Sequence, residues 1–351
     1  MQRSTLRNDT RFRTATPRPV DIGARIVDRR FTDPAAERRA LVAGLLDTPA
    51  TIAPKYFYDA AGCALFCKIC NLPEYYPTRT EARIFDRERE AIVAAVGTGK
   101  EIVDLGAGDC AKAATWLPWL QPTTYVAVDI AADALEQALP KLALAYPAIE
   151  MRGVLTDFTC GLDLGSDIVD GPTTFFYPGS SIGNFTPAEA LEFLQDVRRH
   201  CGTDAESGLL IGVDTKKDPA RLCAAYDDGA GVTAAFNRNV LSVLNRELGA
   251  DFDETRFAHV AVFEKDLAQI EMRLRATESH SVRVRALAID VAFEAGEEMR
   301  TEVSAKFTRE QADAELRDAG LHLAHWWTDP DGDFALLLAR PLEQASVQAA
   351  G

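Results

Sequence analysis

The chain has 351 residues, 47% hydrophobic and 26% charged, with no apolar run of about 18 residues that could span a bilayer. Asp and Glu outnumber Lys and Arg by 53 to 38, a net charge of −15 that opposes binding to a phosphate backbone and points to a small-molecule substrate, with neither nucleic acid nor membrane as partner. Seven cysteines without paired spacing, and no secretory signal pattern, place the expected protein in the cytoplasm as a monomer.

Residues 1–19, rich in arginine but lacking an apolar helical face, read as a flexible basic tail. The pattern over 80–96 predicts a helix opened by a capping box at Thr78 and Glu81 and closed by Gly97. A strand at 101–105 runs into a glycine turn at Gly106–Gly108. A short helical stretch interrupted by Pro118, a strand at 124–129 and a helix over 131–144 containing Pro140 come next. Strands follow near 148–156 and at 173–178. The helix at 186–200 starts with Thr186 as cap, Pro187 in the first turn and Glu189 completing a capping box. With a strand at 208–214, five strands alternate with helical or crossover segments, the pattern of a parallel, doubly wound α/β sheet.

Between 217 and 307 the pattern changes to helices within 222–248 and strands at 258–263, 268–275, 281–288 and 300–307, which predicts an inserted α+β domain. A helix at 308–319 and two strand-like runs, 321–327 and 333–340, joined through Asp329–Gly332, end the fold ahead of a tail at 344–351. Such a terminal antiparallel hairpin characterises Rossmann-like class I methyltransferases, whereas a dinucleotide dehydrogenase adds further parallel units. The expected organisation is a core at 79–216 and 308–343, and a substrate-binding domain at 217–307 joined by residues 20–78.

The glycine turn, DLGAGDCA at 104–111, allows a ligand close to the backbone, and Asp129 at the next strand end could grip a ribose diol. Gly106, Gly108 and Ala111 also satisfy the dinucleotide pattern, so this pair leaves NAD and S-adenosylmethionine open. Asp157 and Phe158, just past the third strand, favour S-adenosylmethionine, because a carboxylate there can accept from the adenine amino group while the aromatic ring stacks on the base.

Longer words join these: PKYFYDAAGCALF at 54–66, LPEYYPTRTE at 72–81, GSSIGNFTPAEA at 179–190, AYDDGAGVTAAFNRN at 225–239, IEMRL at 270–274 and RTEVSAKF at 300–307. Together they resemble the histidine Nα-methyltransferase family of ergothioneine biosynthesis. The resemblance covers about 20 to 341 and implies trimethylation of the α-amino group of L-histidine to hercynine, with S-adenosylmethionine as donor and no metal. It implies that Gly106, Lys112, Asp129, Asp157 and Phe158 hold the cofactor, and that Tyr58, Tyr75, Gly179, Asn184 and Tyr226 surround the substrate's amino and carboxylate groups. Phe236 and Met272 would form apolar walls, and Glu302 and Ser304 would bond the imidazole nitrogens. Tyr58 is the candidate catalytic residue, by location.

Ala107 and Cys110 depart from the small hydroxyl residues expected in the glycine loop, and the segment from Lys112 to Asp129 is short. Cys63, Cys67 and Cys70 have the spacing of radical enzymes that bind an iron–sulfur cluster, but they lie inside a family block and the chain lacks a barrel pattern. Other readings are an N-methyltransferase for another amino acid such as a tryptophan derivative, against which Glu302 argues, an NAD-dependent oxidoreductase, and a non-catalytic cofactor-binding protein.

Overall fold

Short apolar runs bounded by turn residues become strands throughout the chain. The computed structural model describes residues 24–30, 34–168 and 171–342; the expected tails, 1–19 and 344–351, lie outside the described residues. In chain order the strands are β1 (Ala24–Asp28), β2 (Ala50–Thr51), β3 (Glu101–Leu105), β4 (Thr124–Asp129), β5 (Glu150–Leu155), β6 (Thr173–Tyr177) and β7 (Gly208–Asp214). They continue with β8 (Phe257–Glu264), β9 (Gln269–Ala276), β10 (His280–Val284), β11 (Ile289–Phe293), β12 (Glu298–Ala305), β13 (Leu321–Thr328) and β14 (Phe334–Pro341).

Eight strands form one sheet in the order β1-β5-β4-β3-β6-β7-β14-β13. The first six run parallel, and β14 and β13 close the sheet antiparallel. Strands β3, β6 and β7 are buried along their whole length, as near-continuous apolar runs must be when both faces are covered. Two cores lie on the two faces: Val103 and Leu105 of β3 enter one, and Ile102 enters the other. The direction of strand succession reverses between β3 and β6. That switch point opens a crevice at the carboxyl ends of the strands, where open α/β sheets bind ligands.

The helix Pro187–Cys201 begins as expected, with both legs of the Thr186–Glu189 capping box formed. The expected single helix at 80–96 is instead two, Pro77–Arg87 and Arg89–Val96, separated at Glu88. Pro77 starts the first of them early, with Tyr76 at the cap position and no side-chain cap, so the Thr78–Glu81 capping box does not form. Glu81 is turned inward instead. The expected strand at 281–288 ends at Val284 as β10; residues 285–288 are instead a turn, in which Ala288 has a positive φ, that folds the chain back into β11 as a hairpin.

A second layer holds a four-stranded sheet, β2-β12-β9-β8, against the helices Ala60–Ile69, Pro219–Tyr226 and Val232–Leu248. One hydrophobic core joins Leu41, Phe57, Ile69 and Tyr76 to Phe236, Leu274 and Met299. Part of the 20–78 segment belongs elsewhere, however: β1 pairs with the exposed edge of β5 in the large sheet, in register from Ala24 with Met151 to Asp28 with Leu155. The two layers are stitched where β12 ends. Phe307 donates its amide to Asp214 O at 2.9 Å, and Lys216 N returns a bond to Phe307 O at 3.0 Å.

Candidate active site

The glycine turn follows β3 at the switch point. Gly106 has φ +71°, a conformation a side chain would strain, and a Cβ built there would lie 3.8 Å from the Phe158 ring. Space above Gly108 is open. Asp129, at the carboxyl end of β4, accepts from Gly108 N at 2.7 Å and Ala131 N at 2.8 Å, which fixes its carboxylate beside the turn. Phe158 packs edge-on against Tyr177, and Asp157 pairs with Lys55 at 3.3 Å. A strand-end carboxylate for a ribose diol, an aromatic ring beside an acidic acceptor, and an open glycine turn between them fit the adenosyl group of S-adenosylmethionine.

Most of the other sequence-predicted residues belong to the second layer. Tyr58 meets Phe236 edge-on, and Phe66 bridges Tyr58 to Tyr75, which in turn meets Tyr226. Phe236 stacks on Phe57 with ring centroids 4.6 Å apart. Glu302 and Met272 are direct partners on β12 and β9, so their side chains share one face of the small sheet. Ser304 lies two residues along β12 and therefore points the same way as Glu302. Gly179 and Asn184 stand between the layers, in the segment after β6. A Cβ at Gly179 would lie 3.5 Å from Lys112 Nζ, and one at Gly183 would lie 3.6 Å from Ser304 Oγ and against the backbone of Ala305.

Burial shapes the electrostatics here. It pushes the Glu302 carboxyl up to about 7, against the opposing pull of the Lys306 charge. Burial also raises the Tyr58 phenol, and the neighbouring Glu302 charge adds to that.

Comparison with known proteins gives the family. Residues 37–341 match the family described as histidine-specific methyltransferase, SAM-dependent. The chain belongs to that family. Among its relatives is the histidine N-alpha-methyltransferase of Mycolicibacterium smegmatis, 47% identical over 313 residues, covering 88% of this chain and 96% of that protein. The corresponding enzyme of Mycobacterium tuberculosis is 45% identical, covering 87% and 94%. A 4-dimethylallyltryptophan N-methyltransferase of Aspergillus fumigatus is 25% identical, covering 86% and 92%. The shared Gly106 and Asp129 signals thus belong to a methyltransferase, not to an NAD-dependent oxidoreductase.

Sequence reasoning missed several charged groups of this methyltransferase's cleft. Glu81 is 1% exposed and accepts from Lys112 Nζ at 2.6 Å and from Gly179 N at 2.7 Å, so it ties a cofactor-side lysine to the turn after β6. Behind Ser304, Lys306 donates to Asp214 at 2.9 Å, and Asp214 also takes Tyr76 OH at 2.7 Å and the Lys217 ammonium. Burial alone would raise the Asp214 carboxyl, but Lys306 and Lys217 hold it below its usual value. The signal for both carboxylates was present: Glu81 closes a family block, and Asp214 stands at the carboxyl end of a fully buried strand. Cys63 and Cys67 lie on the helix Ala60–Ile69 with Cys70 at its end; among the described residues the three thiols do not converge to ligand distance.

Proposed function

We propose that this chain methylates the α-amino group of L-histidine three times, giving hercynine, with S-adenosylmethionine as donor. The observation that carries the reading is the pair Glu302 and Ser304, side by side on the cleft face of β12, offering an acidic acceptor and a hydroxyl to the two ring nitrogens of an imidazole. Met272 and Phe236 supply apolar walls for the ring. Tyr58, Tyr75, Gly179, Asn184 and Tyr226 surround the amino-acid end of the substrate.

The sulfonium supplies an activated methyl group, so the chain's work is alignment and exclusion of water. Asp129 grips the ribose diol, Asp157 and Phe158 hold the adenine, and Lys112, fixed by Glu81, flanks the turn at Gly179. Tyr58, at the amino-acid end of the substrate, is the candidate partner of the amine, and the tyrosine faces suit the ammonium charge that grows with each methylation. The free thiols among the described cysteines suit a reducing compartment, the cytoplasm.

The test is mass spectrometry after incubation with S-adenosylmethionine and a mixture of all free amino acids. Mono-, di- and trimethylated histidine are expected. Methylation of another amino acid with histidine untouched overturns the substrate reading.

A further inference from the structure

Lys306 is a lysine without solvent. Its side chain is 0% exposed, a position lysine almost never takes unless paired. Its ammonium has three protons and three acceptors: Asp214 Oδ2 at 2.9 Å, Ser304 Oγ at 2.6 Å and Tyr226 OH at 3.1 Å. Burial alone would lower its pKa, but Asp214 and the hydroxyls hold it above the usual value, so it stays charged. Tyr226 OH in turn donates to Ser304 Oγ at 2.8 Å.

These bonds dictate what Ser304 can offer. Its oxygen has two lone pairs, one taken by Lys306 and one by Tyr226, so what remains is its own proton. The direction of the Ser304–Tyr226 bond decides this: with Tyr226 donating, both lone pairs of Ser304 are filled and its O–H is free, whereas the reverse would free a lone pair on Ser304 and leave the O–H on Tyr226. Two residues before this donor on the same face of β12, Glu302 has no hydrogen-bond partner among the described residues and offers an acceptor.

We infer that Lys306 is a positioning residue for the substrate ring: with Tyr226 as the donor of the second bond it fills both lone pairs of Ser304, so that the site takes a neutral imidazole with its bare nitrogen toward Ser304 and its N–H toward Glu302. The inference rests on the histidine reading above and adds to it the tautomer and protonation state of the ring. An imidazolium, with two N–H donors, would set one of them against the outward O–H. The groups facing Glu302 are Tyr58, Tyr75, Tyr226 and Lys306, and of these Lys306 alone carries a charge near neutral pH.

The experiment is a double-mutant cycle in the full chain, Lys306→Met and Ser304→Ala singly and together, reading histidine Kd at saturating S-adenosylmethionine over a range of pH. At alkaline pH, where Glu302 is ionised throughout, each single variant weakens histidine by about tenfold and the double variant is no weaker than the worse single one. Toward acid, Lys306→Met moves the fall in affinity to higher pH, because the charge opposing protonation of Glu302 is gone; Ser304→Ala leaves that limb where it was. Additive losses, or an unmoved acid limb in Lys306→Met, overturn the role of Lys306. If Lys306→Met fails to bind the cofactor, Ser304→Ala alone still decides. Thiazolylalanines with the bare nitrogen at either ring position should contain one isomer that loses affinity in that variant, whereas a pyrrolylalanine, with only an N–H, should not. Equal losses for all of these ligands overturn the inference. A wild-type chain that binds no histidine overturns the substrate reading itself, a result the cycle does not resemble.

Discussion

Glu302 stands directly opposite Met272 across β12 and β9, so the carboxylate that faces the ring of the proposed substrate has an apolar side chain as its cross-strand neighbour. That environment is why burial dominates the titration of Glu302 and why the proposed pocket reads polarity so sharply. Replacing Glu302 with Ala should weaken histidine by about 1 to 3 kcal/mol, roughly tenfold to over a hundredfold in Kd. Cofactor affinity should barely change, and the gap between histidine and phenylalanine or tryptophan should narrow. Paired titrations of the two proteins with the three amino acids at saturating cofactor check this. An unchanged ranking would remove Glu302 from substrate recognition.

A second prediction concerns pH. With its carboxyl at about 7, Glu302 is protonated in much of the free protein just below neutrality, and the N–H of a bound ring favours the ionised form. Histidine binding should therefore release a proton from Glu302 near pH 7, and affinity should fall as the pH drops through that value. Calorimetry in buffers of different ionisation enthalpy measures the release. In Glu302→Gln the part due to this group should vanish, leaving only the substrate's own titration.

The same shift has a consequence for stability without ligand. The folded-state pKa of Glu302 lies above its ordinary value of 4.5, so its contribution is fully present below pH 4.5 and is lost as pH rises through about 7. Denaturant unfolding of wild type and Glu302→Gln should show the variant gaining relative stability on going from acid to neutral pH. A constant difference across that window would mean that the group titrates normally.

Asp129 holds the Gly108 amide of the glycine turn and the Ala131 amide beyond β4, and it stands at the proposed ribose site. Asp129→Ala should weaken S-adenosylmethionine by about 1.5 to 3 kcal/mol, the worth of hydrogen bonds to a charged group. Unchanged affinity by calorimetry in a folded variant would refute that contact.

Glu81→Ala should be the more structural lesion. It leaves the Gly179 amide and the Lys112 ammonium without their shared acceptor, and a loss of about 1 to 3 kcal/mol in denaturant unfolding is expected. Glu81→Gln, which can still accept from Gly179 N, should recover part of it.

Much of this architecture was legible because local chemistry and tertiary structure agree. Thr186, Pro187 and Glu189 start the same helix in isolation as in the fold, and β7 is read to its end residues because an unbroken apolar run has one use in a sheet covered on both faces. The strand β1 was not legible as part of the large sheet: ARIVD is short and carries Arg25 and Asp28, as an edge strand does. Glu81, Asp214 and Lys306 were missed for another reason. Charged residues belong at the surface by default, and only the folded chain brings their partners from 31 to 138 residues away, as with Lys112 for Glu81 and Tyr76 for Asp214. The Thr78–Glu81 pair shows the converse, a correct local signal displaced when Glu81 found a buried use.

The side chains proposed to read the substrate, Glu302, Met272 and Ser304, ride on the small four-stranded sheet, whereas Gly106, Asp129 and Phe158 stand at the strand ends of the large one. On the proposed roles, selection can act on substrate choice and on donor binding separately: an exchange on β12 or β9 should change which amine is presented without disturbing the ends of β3 and β4. This freedom fails at the seam of Asp214 and Lys306, where a buried ion pair links the end of β7 in the large sheet to the end of β12 in the small one, and mutations there should be felt on both sides at once.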